Sequence, residues 1–551
     1  MKNNRLIQSY RFSFLLYLIL GVVLLPFLRY FVDALDMVSY ITVAQKYAAG
    51  NWAEAVNDLW SPLISWILAI PIVLKLDAFW AFKIVNFLTG FFTLYGIYFL
   101  LETISVNSFL KKIISFAFVP FVLSAALLNG APDLLFLTIF LYYLKELSSG
   151  DYGIKSKGVE YGLWGAFLYF AKSYGFPFFI VHFTLVNGIY YFKKKGIEKR
   201  VVLQQFLKGL AFFFLFSGLW ISALSLKNKQ VTISGNGSYN FALIGRANTN
   251  RADCEICHPV HENGLHAPFT GTAINAGEEH NRLFIETWNP FSSKSNFTYY
   301  LRVIKTNILS VYYNDFKRQY GSVVLLAFIL FLLLIRKFNE LPFSLYLYAL
   351  TLLIYNAGYI LVHTNPRYLW INSILLVVLF LQLAPFFLTH LSQRILFYSM
   401  FTLLTLLLIK RPVKELLLLR DVDLTPTELS LTLLHPLNTL EAVIAPHKEL
   451  FKIGQALSSQ NQFKGNVANQ YIAGGENYVK TSVICFYTGN KHFGELPPAR
   501  IRDEGYKQLH DFNIAFYYSW NDVSDKDSTL ISPPLFIDEI SGLRIYQVRK
   551  K

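Results

Sequence analysis

The sequence predicts an all-α polytopic membrane protein of about 11 transmembrane helices, followed by a small C-terminal α/β or α+β soluble domain. Of the 551 residues, 54% are hydrophobic and 15% are charged, whereas an average soluble protein has roughly 25% charged residues. Apolar segments of about 18–25 residues, each long enough to cross a ~30 Å hydrocarbon core, recur along positions 1–410. Charge rises and the long apolar segments end in 411–551, so we expect a separate domain there.

Membrane orientation explains the basic character of the chain. The formal net charge is +15, and Lys and Arg cluster in short loops between apolar segments, which is the pattern that orients membrane helices. We therefore expect no nucleic-acid partner. The basic N-terminus is predicted to lie in the cytoplasm and the C-terminal domain on the extracytoplasmic side. The expected location is a bacterial inner (plasma) membrane.

The membrane helices are predicted from the apolar segments in chain order. The first segment, 12–31, is long and lacks a small-residue cleavage site, so we expect an uncleaved helix rather than a signal peptide. The segment 161–191 is interrupted at 172–177, which predicts two short helices that meet at the outer surface. The remaining predicted segments are 61–76, 79–101, 113–128, 134–146, 206–226, 320–335, 342–361, 369–388 and 394–410.

The sequence does not decide whether the segments 61–76 and 79–101 both cross the membrane. If 61–76 and 79–101 both crossed the membrane, Lys111 and Lys112 would fall outside, against the positive-inside pattern. Either one of the two segments is re-entrant or the pattern fails here.

Polar residues from distant parts of the chain are predicted to share the outer face. Placement of acids and cations together on one face is what a binding site requires, whereas unrelated polar residues would scatter over both faces. The predicted outer set is Asp33, Asp36, Asp133, Lys172, Arg367 and the loops 32–60 and 227–318.

Alternating apolar residues and turn-forming flanks define the predicted elements of the C-terminal domain. The sequence predicts strands at 481–487, 513–518 and 543–548 and helices at 447–457 and 499–511. The length of 411–551 corresponds to about one domain.

Acidic residues beside a bilayer are costly and are usually functional. Asp36 follows the first apolar segment, where a carboxylate can act as a general base that removes a proton from an acceptor hydroxyl. Helix capping is the alternative for Asp36, for Asp133 ahead of a helix at 134, and above all for Asp33. The residues alone leave this choice open for Asp36.

Four short motifs in order resemble the GT-C glycosyltransferases, in particular the protein O-mannosyltransferase and aminoarabinose-transferase superfamily. They are Asp36–Tyr40 with the later Trp60-Ser61-Pro62-Leu63, then Ala131–Phe136, Ala171–Gly175 and Asn365–Tyr368. The resemblance covers roughly residues 10–390 and departs at Met37, where many members have a Glu.

The resemblance implies a GT-C-like catalytic domain over 1–410, including the loops 32–60 and 227–318. It implies an inverting transfer of a sugar from a polyprenyl-phosphate donor to a lipid, glycan or protein acceptor outside the membrane. Lys172 and Arg367 would stabilise the leaving phosphate, Lys as a point charge and Arg as a bidentate fork. The alternatives are that Lys172 extends to the membrane interface and that Arg367 only orients its helix. The implied catalytic residues are Asp36 and Asp133, and the implied substrate-binding residues are Tyr40, Lys172, Arg367 and Tyr368.

A Cys-x-x-Cys-His motif in the outer loop competes with this interpretation. Cys254, Cys257 and His258 match the attachment pattern of c-type haem, but the flanking residues predict a loop rather than helices that enclose a porphyrin. A metal site, a local disulfide and a substrate-lining loop stay open, and His258 and His261 are candidate contacts to acceptor or carrier phosphate. The prediction is no cofactor, with haem disfavoured and a divalent metal left open.

Two other functions remain as alternatives. A transporter or flippase for a lipid-linked or anionic substrate also places charges among membrane helices, but near the midplane and often in repeated halves. No internal repeat is visible, and the acids gather at one face, which favours the transferase. A haem-bearing membrane protein is the weaker alternative.

Overall fold

The computed structural model shows a helical chain with a small mixed sheet near its C-terminus. It describes residues 2–25, 28, 34–148, 157–245, 264–268, 271–279, 288–317, 321–335, 337, 340–418, 449–471, 476–496, 504–520 and 531–549.

The described helices form two groups. The first and larger group precedes the sheet in the chain, and the second and smaller group lies just before and among the strands of the sheet. The first group is α1 (Lys2–Leu24), α2 (Ala34–Ala48), α3 (Trp52–Ala55), α4 (Pro62–Val73), α5 (Ala78–Glu102), α6 (Ser108–Leu128), α7 (Asp133–Leu147), α8 (Gly158–Ala171), α9 (Gly175–Lys193), α10 (Gly196–Asn228), α11 (Asn236–Ile244), α12 (Lys294–Tyr312), α13 (Gly321–Leu330), α14 (Phe343–Ile360), α15 (Trp370–Phe387) and α16 (Leu391–Leu418). The second group is α17 (449–458), α18 (Glu476–Thr488) and α19 (Glu504–Asp511).

The chain is an integral membrane protein, and the predicted fold class is confirmed. Seven helices in the described part of the chain are long and apolar enough to cross a membrane. Shorter apolar helices, such as Tyr10–Leu24 and Gly321–Ile335, accompany them. The first helix differs from the prediction, since it ends at Leu24 rather than at 31.

Helix α4 favours one answer to the open question about 61–76, namely that this segment is re-entrant. Its 12 residues span about 18 Å, well short of a ~30 Å core. Asn57, just before α4, donates a hydrogen bond to the carbonyl of Glu278 (2.7 Å). Asp77, just after α4, lines a cavity together with 271–274. Both ends of α4 therefore lie beside the same segment, 271–279, which favours the re-entrant alternative.

The predicted interruption at 172–177 is confirmed as a tight break between α8 and α9. Lys172 and its neighbours leave the helical path, and α9 restarts at Gly175. A side chain at Gly175 would place its Cβ 2.3 Å from the carbonyl carbon of Leu168. Only glycine fits this close approach, so the break holds Lys172 at a fixed point between the two helices.

The C-terminal sheet has five strands in the order β2-β1-β3-β5-β4. β1 pairs in parallel with β2 and β3, whereas β5 pairs antiparallel with β3 and β4. The strands are β1 (Asn466–Gln470), β2 (Lys491–Leu496), β3 (Ile514–Ser519), β4 (Ile531–Asp538) and β5 (Leu543–Val548).

Most of the predicted C-terminal elements are confirmed and one is wrong. The strands at 513–518 and 543–548 and the helices within 447–457 and 499–511 are present where these residues are described. The predicted strand 481–487 is instead part of helix α18. A short buried apolar run does not distinguish strand from helix. The parallel pairing of β1 with β2 requires a long crossover connection between them, and such a connection is usually a helix.

A short segment of the outer loop, 271–279, joins the sheet to α2, and we call it the bridging segment. On the sheet side, the backbone N–H of His492 donates to the carbonyl of Ile274 (2.7 Å). On the α2 side, Glu278 forms an ion pair with Lys46 and accepts a hydrogen bond from Thr42. Lys46 and Glu278 are only 0% and 2% exposed. The bridging segment is thus fixed on both sides.

The Lys46–Glu278 pair gives a direct test of this attachment. Substitution of Glu278 by Ala leaves the buried Lys46 ammonium without its carboxylate, which costs about 3–5 kcal/mol. We expect a clear fall in the unfolding midpoint of the purified protein in detergent. Glu340→Ala is the matched control, because its pair with Lys337 is exposed and such pairs contribute under about 1 kcal/mol. Equal midpoints for the two variants would contradict the buried clamp.

The buried carboxyl of Glu495 in β2 is expected to make the stability of the protein depend on pH. Burial raises the pKa of this carboxyl from 4.5 to about 7, against the opposing hydrogen bond from Asn469. The folded state therefore keeps this proton while the unfolded state loses it, so stability falls as pH rises from 4.5 to 7. Glu495→Gln keeps the oxygen that accepts the bond and removes the titration. The variant should gain on the order of 3 kcal/mol relative to the native chain between pH 4 and pH 8.

The measurement is the unfolding midpoint of both proteins across that pH range. Other titrating groups are shared by the two proteins, so their difference isolates Glu495. Parallel pH profiles would show that the carboxyl is not protonated in the folded chain near neutral pH.

Candidate active site

Four charged side chains from four distant segments meet in space, and we call them the charged cluster. Arg367 forms an ion pair with Asp36 through Nη2, and its Nε lies 3.1 Å from Oδ2 of Asp133. Lys172 Nζ donates to Oδ1 of Asp133 at 2.6 Å. The contacts make one continuous chain from Asp36 through Arg367 and Asp133 to Lys172, with two acids and two cations.

Local structure positions each member of the cluster. Asp36 lies inside the first turn of α2, and Asp133 is the first residue of α7. The N-cap of α7 is Pro132, so Asp133 is not the cap that the sequence left open. Arg367 sits in a 3₁₀ turn that precedes α15, where the side chain of Asn365 accepts a hydrogen bond from the Arg367 backbone N–H. Asp33 lies outside the described residues, and its predicted role as a cap stays a prediction.

The two carboxylates differ in exposure. The Asp133 side chain is 5% exposed, whereas the Asp36 side chain is 25% exposed. Asp133 is therefore enclosed by Lys172 and Arg367 as their counter-charge. Asp36 is open to the adjacent cavity and is the carboxylate that a bound molecule can reach.

Two tyrosine rings contact the ammonium group of Lys172. Lys172 Nζ lies 3.3 Å from the ring centre of Tyr368 and 5.4 Å from that of Tyr359. The two rings stack with centroids 4.9 Å apart. A cation over a ring face is attracted by the ring quadrupole, so these tyrosines hold the ammonium beside Asp133. Tyr368 was predicted to contribute to the site and Tyr359 was not.

A cavity of about 590 Å³ opens beside the charged cluster. Tyr40 lines it and packs edge-on against Trp60, with ring centroids 5.1 Å apart. Outer-loop residues, the bridging segment and the C-terminal domain complete the lining. The polar residues that they contribute are Ser234, Asn236, Tyr239, Asn240, Asn275 and Tyr478.

Burial and neighbouring charges shift the pKa values of Lys172 and His363. Burial lowers the pKa of the Lys172 ammonium, and the Asp133 carboxylate opposes this shift. Burial also lowers the pKa of His363, and the nearby charges of Lys172 and Arg367 lower it further. The His363 imidazole, which lines the cavity, is therefore neutral at pH 7 and can both donate and accept a hydrogen bond.

A buried polar network fixes the helices that carry Arg367 and Tyr359. Asn372 of α15 donates to Asp315, and it exchanges hydrogen bonds with Asn356 of α14. Burial raises the pKa of Asp315 to about 7. Buried polar groups that form hydrogen bonds with one another hold their helices in one arrangement. This network therefore fixes α14, which carries Tyr359, and α15, which follows the turn that carries Arg367.

The structure brings together six of the eight predicted site residues around one cavity. These are Asp36, Tyr40, Asp133, Lys172, Arg367 and Tyr368. His258 and His261, together with Cys254 and Cys257, lie outside the described residues, and their roles stay predictions. Cys485, which is described, is a buried free thiol.

The sequence patterns do not single out Tyr239, Asn275, Tyr359, His363 or Tyr478. These are ordinary polar and aromatic residues in loops, helix ends and the C-terminal domain, without a motif. Only the fold shows that they share a cavity. In the described part of the chain, no group of three or more His, Cys, Asp or Glu residues could hold a metal ion, and the possibility of a divalent metal is untested.

The chemistry available to the cluster follows from its composition. Lys172 and Arg367 can bind an anionic oxygen, and an entering phosphate would compete with the two carboxylates for them. Release of Arg367 from Asp36 would leave a carboxylate free to accept a proton beside the bound group. The composition therefore offers two cations that can bind an anion and a carboxylate that can accept a proton.

No protein-family model matches the sequence, and no curated protein matches it. Among solved structures, the chain is similar to the crystal structure of ArnT from Cupriavidus metallidurans bound to undecaprenyl phosphate. The TM-score is 0.47 and the identity 11%, over 97% of each chain. A likeness this remote indicates neither a reaction nor a substrate.

Proposed function

We propose that this chain is an inverting GT-C glycosyltransferase, which transfers a sugar from a polyprenyl-phosphate donor to an acceptor on the extracytoplasmic side. The observation that carries the proposal is the charged cluster, which pairs two cations with a reachable carboxylate beside a cavity on a helical membrane scaffold. Each of the four GT-C-like motifs in the sequence supplies one member of that cluster. Motifs that are unrelated in sequence position but meet in space support a common role.

The cations are suited to the donor phosphate. When the bond between the anomeric carbon and phosphate breaks, negative charge grows on the leaving phosphate oxygen, and fixed cations stabilise it. Lys172 provides a point charge held by Tyr368, and Arg367 provides a fork that now spans Asp36 and Asp133. Buried Asp133 keeps both cations in place and acts as a positioning residue.

Asp36 is suited to the acceptor. The acceptor hydroxyl oxygen attacks the anomeric carbon from the side opposite the phosphate, which inverts that centre. Its proton passes to the Asp36 carboxylate, and the phosphate leaves with the electron pair of the broken bond. General base catalysis of this kind contributes roughly 10²–10⁴-fold to rate.

The position of the cavity also separates this function from transport. Transporter sites lie near the bilayer midplane, whereas this cavity is lined by Asn275 of the bridging segment and Tyr478 of the C-terminal domain. We place the helical domain 1–410 in a bacterial inner membrane with a cytoplasmic N-terminus. The domain 411–551 lies outside.

Removal of the base tests the role of Asp36. We expect Asp36→Asn to lower sugar transfer from a radiolabelled undecaprenyl-phosphate hexose or pentose by at least about 100-fold, with normal folding. Asp77→Asn is the matched control: it also changes an outer-face acid to an amide, but Asp77 caps α5, and Asn caps equally well. Full activity of the Asp36 variant would contradict the assignment.

Removal of the ammonium tests donor binding separately from chemistry. We expect Lys172→Met to weaken binding of undecaprenyl phosphate by about tenfold or more, because a charged hydrogen bond contributes roughly 1.5–3 kcal/mol. The measurement is a binding titration with the purified protein in nanodiscs. Lys337→Met is the control, since Lys337 is exposed and pairs with Glu340. Unchanged affinity in the Lys172 variant would place the phosphate elsewhere.

A further inference from the structure

The cavity has two chemically different parts. Among its described lining residues, the Asp, Glu, Lys and Arg side chains are confined to the charged cluster. The part formed by α11, the bridging segment and α18 consists of neutral side chains instead. Tyr239, Asn240, Asn275 and Tyr478 are its principal polar members, and we call these four residues the neutral wall.

The neutral wall adjoins the proposed base. Tyr239 lines the same cavity as Asp36 and Tyr478, and its hydroxyl lies within electrostatic range of both. At the start of the same helix, Asn236 donates to the hydroxyl of Ser173 (3.2 Å), the residue after Lys172. The wall therefore lines the same cavity as the cluster and includes a residue of the C-terminal domain, Tyr478.

Buried contacts hold the neutral wall in place. Asn275 donates to Ser482 Oγ (3.3 Å) and accepts from the backbone N–H of Gly277 (3.0 Å). The Tyr478 ring packs on His492, with centroids 4.6 Å apart. His492 in turn contacts Ser482 Oγ through Nδ1 (2.9 Å). A wall fixed in advance loses little entropy when a ligand binds, which is typical of a recognition surface.

We propose that the neutral wall is the acceptor site and that the acceptor is an uncharged glycan; this inference rests on the proposed glycosyltransferase function. Amide and phenol groups both donate and accept hydrogen bonds, as sugar hydroxyls do. Tyrosine rings add flat apolar faces with a polar edge. An acceptor hydroxyl on this wall meets Asp36, while the donor phosphate occupies Lys172 and Arg367.

Two other acceptor classes fit less well. A phosphorylated headgroup requires cations, and in the described lining the cations are already assigned to the donor phosphate. A peptide commonly binds by adding a strand to an open sheet edge. The edge strand β2, whose His492 packs on the cavity residue Tyr478, already pairs with Leu265 and Asn275 through its residues Gly494 and His492, so that edge is occupied.

The test compares three acceptors with one donor. The purified full-length protein in nanodiscs receives a radiolabelled undecaprenyl-phosphate sugar and a neutral trisaccharide, the same trisaccharide with one phosphate, or a serine-containing peptide. We expect the neutral trisaccharide to have the highest kcat/KM. Equal or better transfer to the phosphorylated trisaccharide or to the peptide would overturn the inference and leave the transferase function standing. Failure to consume any donor sugar with any acceptor would overturn both.

A substitution in the neutral wall provides a second test of the inference. We expect Tyr478→Phe to raise the KM for the trisaccharide by about 3- to 10-fold, which corresponds to one lost neutral hydrogen bond, with an unchanged unfolding midpoint. Tyr487→Phe is the matched control, because Tyr487 lies on the same helix but packs against Phe451 outside this cavity. An unchanged KM in the Tyr478 variant would overturn the assignment of the wall.

Discussion

The bridge that Arg367 forms between Asp36 and Asp133 is the interaction on which the site depends. Two ionised carboxylates close together in a partly buried site repel each other, and either one of them takes up a proton or a cation lies between them. Arg367 supplies that cation from the turn before α15, while Asp36 belongs to α2 and Asp133 to α7. One side chain thus fixes three elements from distant parts of the chain, and loss of either kind of partner leaves an uncompensated charge, which is the costly case.

The outer structures are arranged around this bridge. Helix α2 carries Asp36 and Tyr40 at one end and Lys46 towards the other, and Lys46 clamps the bridging segment through Glu278. The same segment pairs with β2 of the C-terminal sheet. The C-terminal domain therefore reaches the cavity through a chain of direct contacts, and its Tyr478 becomes part of the lining. A domain without a recognisable motif in the sequence acquires a place at the site in this way.

Much of the helical architecture could be predicted from the sequence, because a membrane span requires a long apolar segment and its flanking charges show its direction. The role of 61–76 could not be predicted, since apolar character does not reveal that α4 has only 12 residues and that both its ends lie beside 271–279. The residues 481–487 predict a strand but belong to helix α18. The sequence does not show that β1 and β2 pair in parallel, and this pairing is what places a connecting helix between them. Asp36, Asp133, Lys172 and Arg367 could be selected as charges near the bilayer. Tyr239, Asn275 and Tyr478 could not, because their position depends on loop and domain packing.

A structure of the chain with bound undecaprenyl phosphate tests the central claim most directly. The account predicts that the phosphate contacts both Lys172 and Arg367, that Arg367 has moved from Asp36, and that Asp36 faces the cavity towards Tyr239. A phosphate bound away from these cations, with the Arg367–Asp36 and Lys172–Asp133 pairs unchanged, would contradict it.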